Sequence, residues 1–127
     1  MKLTESIEMY LATIMLLEEE HGSAKVVEIA EILGVTKPSV SKAMSQLLED
    51  GYIDKELYGH ITLTEKGRQA ADKVVRKRRL IISYLQHSLG LSKEEASKNA
   101  CRMEHVISDE MLEGIRTYLG EHEKKAQ

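Results

Sequence analysis

Three side chains late in the sequence carry metal-binding chemistry at a helical spacing. Cys101, Glu104 and His105 stand at i, i+3 and i+4. On a helix, at about 100° per residue, they share one face. A thiolate, a carboxylate and an imidazole so placed can converge on one transition-metal ion. Three donors leave a tetrahedral or octahedral shell incomplete, so a fourth must come from elsewhere in the chain. The competing reading is a small packed thiol beside two solvated polar groups, a common fate of a free cysteine. The element that must position the three starts at Ser92. With Glu95 it has the spacing of a capping box, which predicts a helix over residues 92–106.

The composition bounds what surrounds that helix. The chain has 127 residues, 42% hydrophobic and 31% charged, in the range of one compact domain or two small ones. With no Trp and no Phe, burial must come from Leu, Ile, Val, Met and Tyr. The one Cys excludes an internal disulfide and fits a reducing cytoplasm. No secretory signal or membrane span is expected, because Glu5 and Glu8 interrupt the N-terminal apolar run. Net charge is −3, yet residues 22–80 hold 11 Lys and Arg against 8 Asp and Glu. The middle of the chain is its positive part, where a nucleic acid would be met.

Taken in order, residues 4–21 predict a first helix closed by Gly22. It has one apolar stripe of Ile7, Tyr10, Leu11, Ile14 and Leu17 and another of Met9, Ala12 and Leu16. Two stripes predict a helix packed on both sides. Residues 27–33 predict a short amphipathic helix stopped by Gly34, with Val35 packing inward. Thr36 caps a second helix through Val40, Ala43, Met44, Leu47 and Leu48 to Gly51, with Pro38 in its first turn. This is a helix-turn-helix, and the outward residues of its second helix are small, polar or basic, as a major groove requires. Runs over 52–57 and 60–64 predict a hairpin wing about Tyr58 and Gly59. Thr64 caps a long helix to about Ser88, whose basic run 76–79 faces phosphate or solvent. Ser108 caps a last helix over 109–119, and residues 121–127 are expected to fray. Excess apolar surface on residues 80–89 and 111–119, with little room for a closed core, predicts a helical homodimer interface. The fold class is mainly α with a small β wing. A winged helix-turn-helix domain spans residues 1–75, and a helical dimerisation and metal-binding domain spans residues 76–127.

These words together resemble the diphtheria-toxin-repressor family of metal-dependent transcriptional repressors, in its iron-responsive branch and in a short form without a C-terminal third domain. The resemblance rests on I-E-M-Y-L at 7–11, E-I-A-E-I-L-G-V at 28–35, P-S-V-S at 38–41 and L-T-E-K-G at 63–67. The most specific word is A-C-R-M-E-H-V-I-S-D-E at 100–110. It implies that Met9 is the missing donor beside Cys101, Glu104 and His105. The manganese-responsive branch has acidic residues where this chain has Met9, Ala12 and Cys101. Soft thioether and thiolate donors therefore favour Fe²⁺, with Zn²⁺, Co²⁺, Ni²⁺ or Mn²⁺ able to bind in vitro. The family's second metal site would fall on Arg78, Ile82 and Ser97, none a fitting ligand, so no conventional second site is expected. The small hydroxyl cap usual at the first helix of the helix-turn-helix is Val27 here, a weaker end.

The function so implied is a metal-activated repressor, not an enzyme, whose homodimer reads a pseudo-palindromic double-stranded DNA operator. Base contacts are expected from Thr36, Ser39 and Lys42, with Pro38 beside them. Phosphate contacts are expected from Lys37, Ser41 and Lys25, and wing-tip contacts from Tyr58 and His60. The alternative is a metal-independent winged-helix regulator with Cys101 as redox sensor. A thiol enzyme built on Cys101 and His105 lacks any visible oxyanion loop.

Overall fold

A computed structural model describes residues 4–126, and for residues 121–126 the backbone only. Two compact units divide the chain, Met1–Lys73 and Val74–Gln127.

The first unit opens with α1 (Glu5–His21). The Thr4 hydroxyl accepts the Ile7 amide, and Gly22 at φ +86° ends the helix by donating to Glu18. Leu11, Ala12, Thr13, Ile14, Met15 and Leu17 are buried, more than one face can supply, as two stripes predict. Leu16 is exposed, however, and the second stripe runs through Ala12 and Met15. The buried Thr13 hydroxyl is satisfied by donating to the Met9 carbonyl at 2.8 Å. Next come α2 (Val26–Leu33) and α3 (Lys37–Glu49), the helix-turn-helix. Val27 is not the cap of α2. Lys25 holds that position, and the Glu28 carboxylate accepts the Lys25 amide at 3.0 Å, so the helix end is served three residues on. Thr36 caps α3 by accepting the Ser39 amide, with Pro38 in the first turn where its missing N–H costs nothing. Val40, Met44 and Leu47 are buried, whereas Val35 and Leu48 stay exposed, so the inward stripe is narrower than the apolar pattern.

The wing is shorter than its β-prone runs. Strands β1 (Ile53–Lys55) and β2 (Ile61–Leu63) pair antiparallel, Ile53 with Leu63 and Lys55 with Ile61. A 3-10 turn, Leu57–Gly59, joins them, with Tyr58 at φ +65° and Gly59 at φ +74°. Tyr52 and Thr64 fall outside because their backbones serve other elements: the Tyr52 amide donates to Leu47, and the Tyr52 carbonyl accepts the Thr64 amide. Ala24 adds an unforeseen third edge by exchanging two backbone hydrogen bonds with Ile61, at 2.9 and 2.8 Å. Helix α4 (Glu65–Leu89) starts from Thr64, whose hydroxyl accepts the Gly67 amide and donates to the Gly51 carbonyl. The half-buried Glu18 ties α1 to this corner. One of its carboxylate oxygens accepts the Leu63 amide at 3.3 Å, the other Arg68 at 2.6 Å.

The unit boundary falls within α4. In the second unit, Ile81 and Leu85 of α4 pack on Ala96 and Ala100 of α5 (Lys93–Met103) and on Ile115 of α6 (Asp109–Ala126). The expected lack of a core is thus corrected, because two alanines let α5 lie close and a small core closes. Leu80, Ile82, Tyr84, Leu91, Met103, Ile107 and Leu119 pack around it. The rings of Tyr84 and Tyr118 meet edge to face at 5.2 Å. Helix α6 continues to Ala126, past Leu119 where its apolar stripe stops, and Gln127 lies outside the described residues. Among the described residues no helix is long and apolar enough to cross a membrane.

Candidate metal centre and nucleic-acid interface

Helix α5 begins where the Ser92 hydroxyl accepts the Glu95 amide at 3.2 Å. It ends at Met103, earlier than the expected Val106. Cys101 therefore lies in its last turn, Glu104 is the C-terminal cap in right-handed backbone, and His105 lies in the turn beyond. The Met103 carbonyl accepts the amides of both Val106 and Ile107, which closes the turn. The three residues stay adjacent, but not all on one helical face.

Glu104 is the chemical centre of this cluster. It is 1% exposed, a rare burial for a carboxylate without compensation. Compensation comes from Arg78 of α4, whose Nε donates to one carboxylate oxygen and Nη2 to the other, both at 2.7 Å. His105 Nε2 lies 3.1 Å from the oxygen that accepts Nη2, and the imidazole is almost wholly enclosed. The hydrogen bond to Glu104 raises the hold of Arg78 on its proton. Burial opposes this, while the negative charge of Glu104 and then of Cys101 adds to it. Cys101 is a free, half-buried thiol. Among the described residues no three His, Cys, Asp or Glu side chains are drawn up around one point. These side-chain types are ones that can bind a divalent transition metal, and here the carboxylate is turned onto a guanidinium. Of the positions expected to lack a second site, Arg78 is this partner, Ile82 packs against the core and Ser97 is half-buried on α5. Met9 is half-buried on α1 in the first unit.

The basic run thus divides. Arg76 and Arg79 are exposed, while Arg78 faces inward. Its inward phase was legible: residues 74, 78, 81 and 85 follow the i, i+4, i+7, i+11 pattern of one helix face, and three of them are buried and apolar. The missed role of Glu18 had no such signal, since its partners lie 45 and 50 residues away.

On the first unit, Lys25, Thr36, Lys37, Pro38, Ser39, Ser41 and Lys42 are all exposed, so the first turns of α3 offer a continuous polar and basic face. The Thr36 and Ser39 hydroxyls bond each other at 2.8 Å, which fixes both at the helix start. Farther along, Ser45 donates to the Ser41 carbonyl and Gln46 to Asp50. On the wing, Tyr58 is 93% exposed in a left-handed conformation that a non-glycine residue seldom takes. His60 is held half-buried by the Ser23 hydroxyl, 2.8 Å from its Nδ1. A helix with exposed small and basic residues beside a projecting wing suits a DNA groove and its flanking phosphates.

Two family models cover nearly the whole chain. "Iron dependent repressor, N-terminal DNA binding domain" matches residues 2–61, and "Iron dependent repressor, metal binding and dimerisation domain" matches residues 64–126. The chain belongs to the iron-dependent repressor family. This is the family its sequence words resemble. The iron-dependent repressor IdeR of Mycobacterium tuberculosis is 42% identical over 110 residues, 87% of this chain and 48% of that repressor. An uncharacterised helix-turn-helix-type transcriptional regulator of Methanocaldococcus jannaschii is 36% identical over 124 residues, 97% of this chain and 99% of the relative. The crystal structure of IdeR from T. acidophilum matches with a TM-score of 0.84 at 27% identity, covering 94% of this chain and 55% of that one. The chain spans about half the length of the IdeR proteins and nearly all of the archaeal regulator. Within the repressor family, its winged helix-turn-helix lies in the region of the DNA-binding model. Arg78, Cys101, Glu104 and His105 all lie in the region of the metal-binding one.

Proposed function

We propose that this repressor-family member is a cytoplasmic, Fe²⁺-dependent DNA-binding repressor with no catalytic activity, acting as a homodimer on a pseudo-palindromic operator. The observation that carries this reading is the buried Glu104 carboxylate, flanked by His105 and within electrostatic reach of the same guanidinium as Cys101. Cys101, Glu104 and His105 would hold the ion, with Met9 as the fourth donor on the strength of the resemblance. The thiolate and thioether favour Fe²⁺ over Mn²⁺. When bound, the ion supplies a charge-neutralising link among donors from separate elements.

The chain's own residues do the rest. The α3 face reads the groove through Thr36, Ser39 and Lys42, with Pro38 packed beside them, while Lys37, Ser41 and Lys25 neutralise phosphates. Tyr58 and His60 anchor the wing on the backbone. Regulation is a population shift: an ion that binds the DNA-competent arrangement better raises its share. A coupling of about 1–3 kcal/mol would change DNA affinity roughly 5–150-fold.

A gel-shift titration under anaerobic conditions tests this. Operator binding should rise with added Fe²⁺ and fall with chelator, and Cys101→Ala or His105→Ala should abolish the response while circular dichroism is unchanged. DNA binding indifferent to chelator would reject metal control.

A further inference from the structure

We propose that Arg78 is a built-in counter-cation that occupies the Glu104 carboxylate until metal takes it, so that loading exchanges a guanidinium for the ion. This rests on the reading of Glu104 as a ligand and adds a residue that sets the metal threshold.

Geometry and burial support the exchange. Both oxygens of Glu104 are engaged by one fork, through Nε and Nη2 at 2.7 Å each. The carboxylate is 1% exposed, so its charge is carried by the fork rather than by bulk solvent. A buried carboxylate needs a cation close by, and Arg78 supplies one.

Sharing is disfavoured by charge. A divalent ion held by Glu104 would bring like charge against the guanidinium that now bonds both of its oxygens. The exchange breaks two charge-assisted hydrogen bonds, forms metal–oxygen coordination and sends the guanidinium toward solvent. Arg78 has that route, since its side chain is already 21% exposed. The cost of freeing Arg78 is subtracted from the affinity for metal, which moves the response to higher metal concentration.

The test uses the full chain labelled with ¹⁵N-arginine, in which the Arg78 Nε–H resonance is identified by its loss in Arg78→Lys. Zn²⁺ is the diamagnetic probe, and Co²⁺ in a parallel titration reports Cys101 through its thiolate charge-transfer absorption. On Zn²⁺ addition the Arg78 Nε–H should move and lose its protection from exchange, in step with the rise of the Co²⁺–thiolate band. In competition with a chelating dye, Arg78→Gln should bind Zn²⁺ roughly tenfold tighter than wild type, about 1.4 kcal/mol. Arg79→Gln, which removes an equal charge one residue away, should change affinity much less. A thiolate band with an unmoved Arg78 resonance would overturn the exchange and leave the metal reading standing. So would an Arg78→Gln affinity no higher than that of wild type or of Arg79→Gln. Absence of any thiolate band and of Zn²⁺ binding would overturn both. Should Arg78→Gln not fold, the wild-type resonance decides alone.

Discussion

The Arg78–Glu104 pair should show an asymmetric response when it is dismantled in metal-free protein. Arg78→Leu leaves Glu104, 1% exposed, with its fork gone and no path to water. Stranding a buried charge this way costs about 3–5 kcal/mol. Glu104→Leu instead leaves a guanidinium that is 21% exposed and can turn outward, so the loss is nearer that of charged hydrogen bonds, about 1.5–3 kcal/mol. The double substitution removes both charges and fills the space with apolar groups, and should fall within about 1 kcal/mol of wild type. For a chain of this size 1 kcal/mol is about 4 °C in Tm. Melting with chelator should therefore show drops of about 12–20 °C for Arg78→Leu, about 6–12 °C for Glu104→Leu, and little for the pair. Protein concentration must be held constant, because any self-association makes Tm depend on it. Equal losses for the two single variants would refute the burial argument. A double variant as unstable as the sum would refute the pairing itself.

Other expectations follow from single contacts. A Cβ at Gly67 would run into the backbone carbonyl of Tyr52, so Gly67→Ala should destabilise the first unit by about 1–3 kcal/mol in urea unfolding. Thr36→Ala removes the α3 cap and the Ser39 partner, and should cost about 1 kcal/mol of stability while weakening operator binding in a gel shift. Lys42→Ala should lower affinity and reduce the salt slope of binding by about 1; an unchanged slope would deny it a phosphate contact. Because Glu104 raises the Arg78 pKa, the stability this shift contributes is complete below the unfolded arginine value and lost only above the folded one. Its contribution should therefore stay flat in melts from neutrality to about pH 11.

Most of the helix ends in both units were legible because their signals are local. Thr4, Thr36 and Ser92 each cap within three residues, and Gly22, Gly34 and Gly90 stop helices through a backbone sign that other residues resist. Where competition was non-local, the pattern misled. Tyr52 and Thr64 looked β-prone but are claimed by α3 and the start of α4, which trims both strands. Leu16, Val35 and Leu48 fit apolar stripes, yet no neighbouring element covers them.

Residue types and spacing by themselves determined that this chain has a capped helix-turn-helix, a wing and a Cys, a Glu and a His at i, i+3 and i+4, since each of those is written within a few residues. Tertiary structure alone decided that α5 stops short of Glu104 and that this carboxylate is buried against Arg78, 26 residues earlier. The reason is electrostatic. The helix phase that Arg78 shares with Val74, Ile81 and Leu85 turns it inward, but sequence distance does not say which acid it will meet, and that choice is made only when α4 and α5 close a common core.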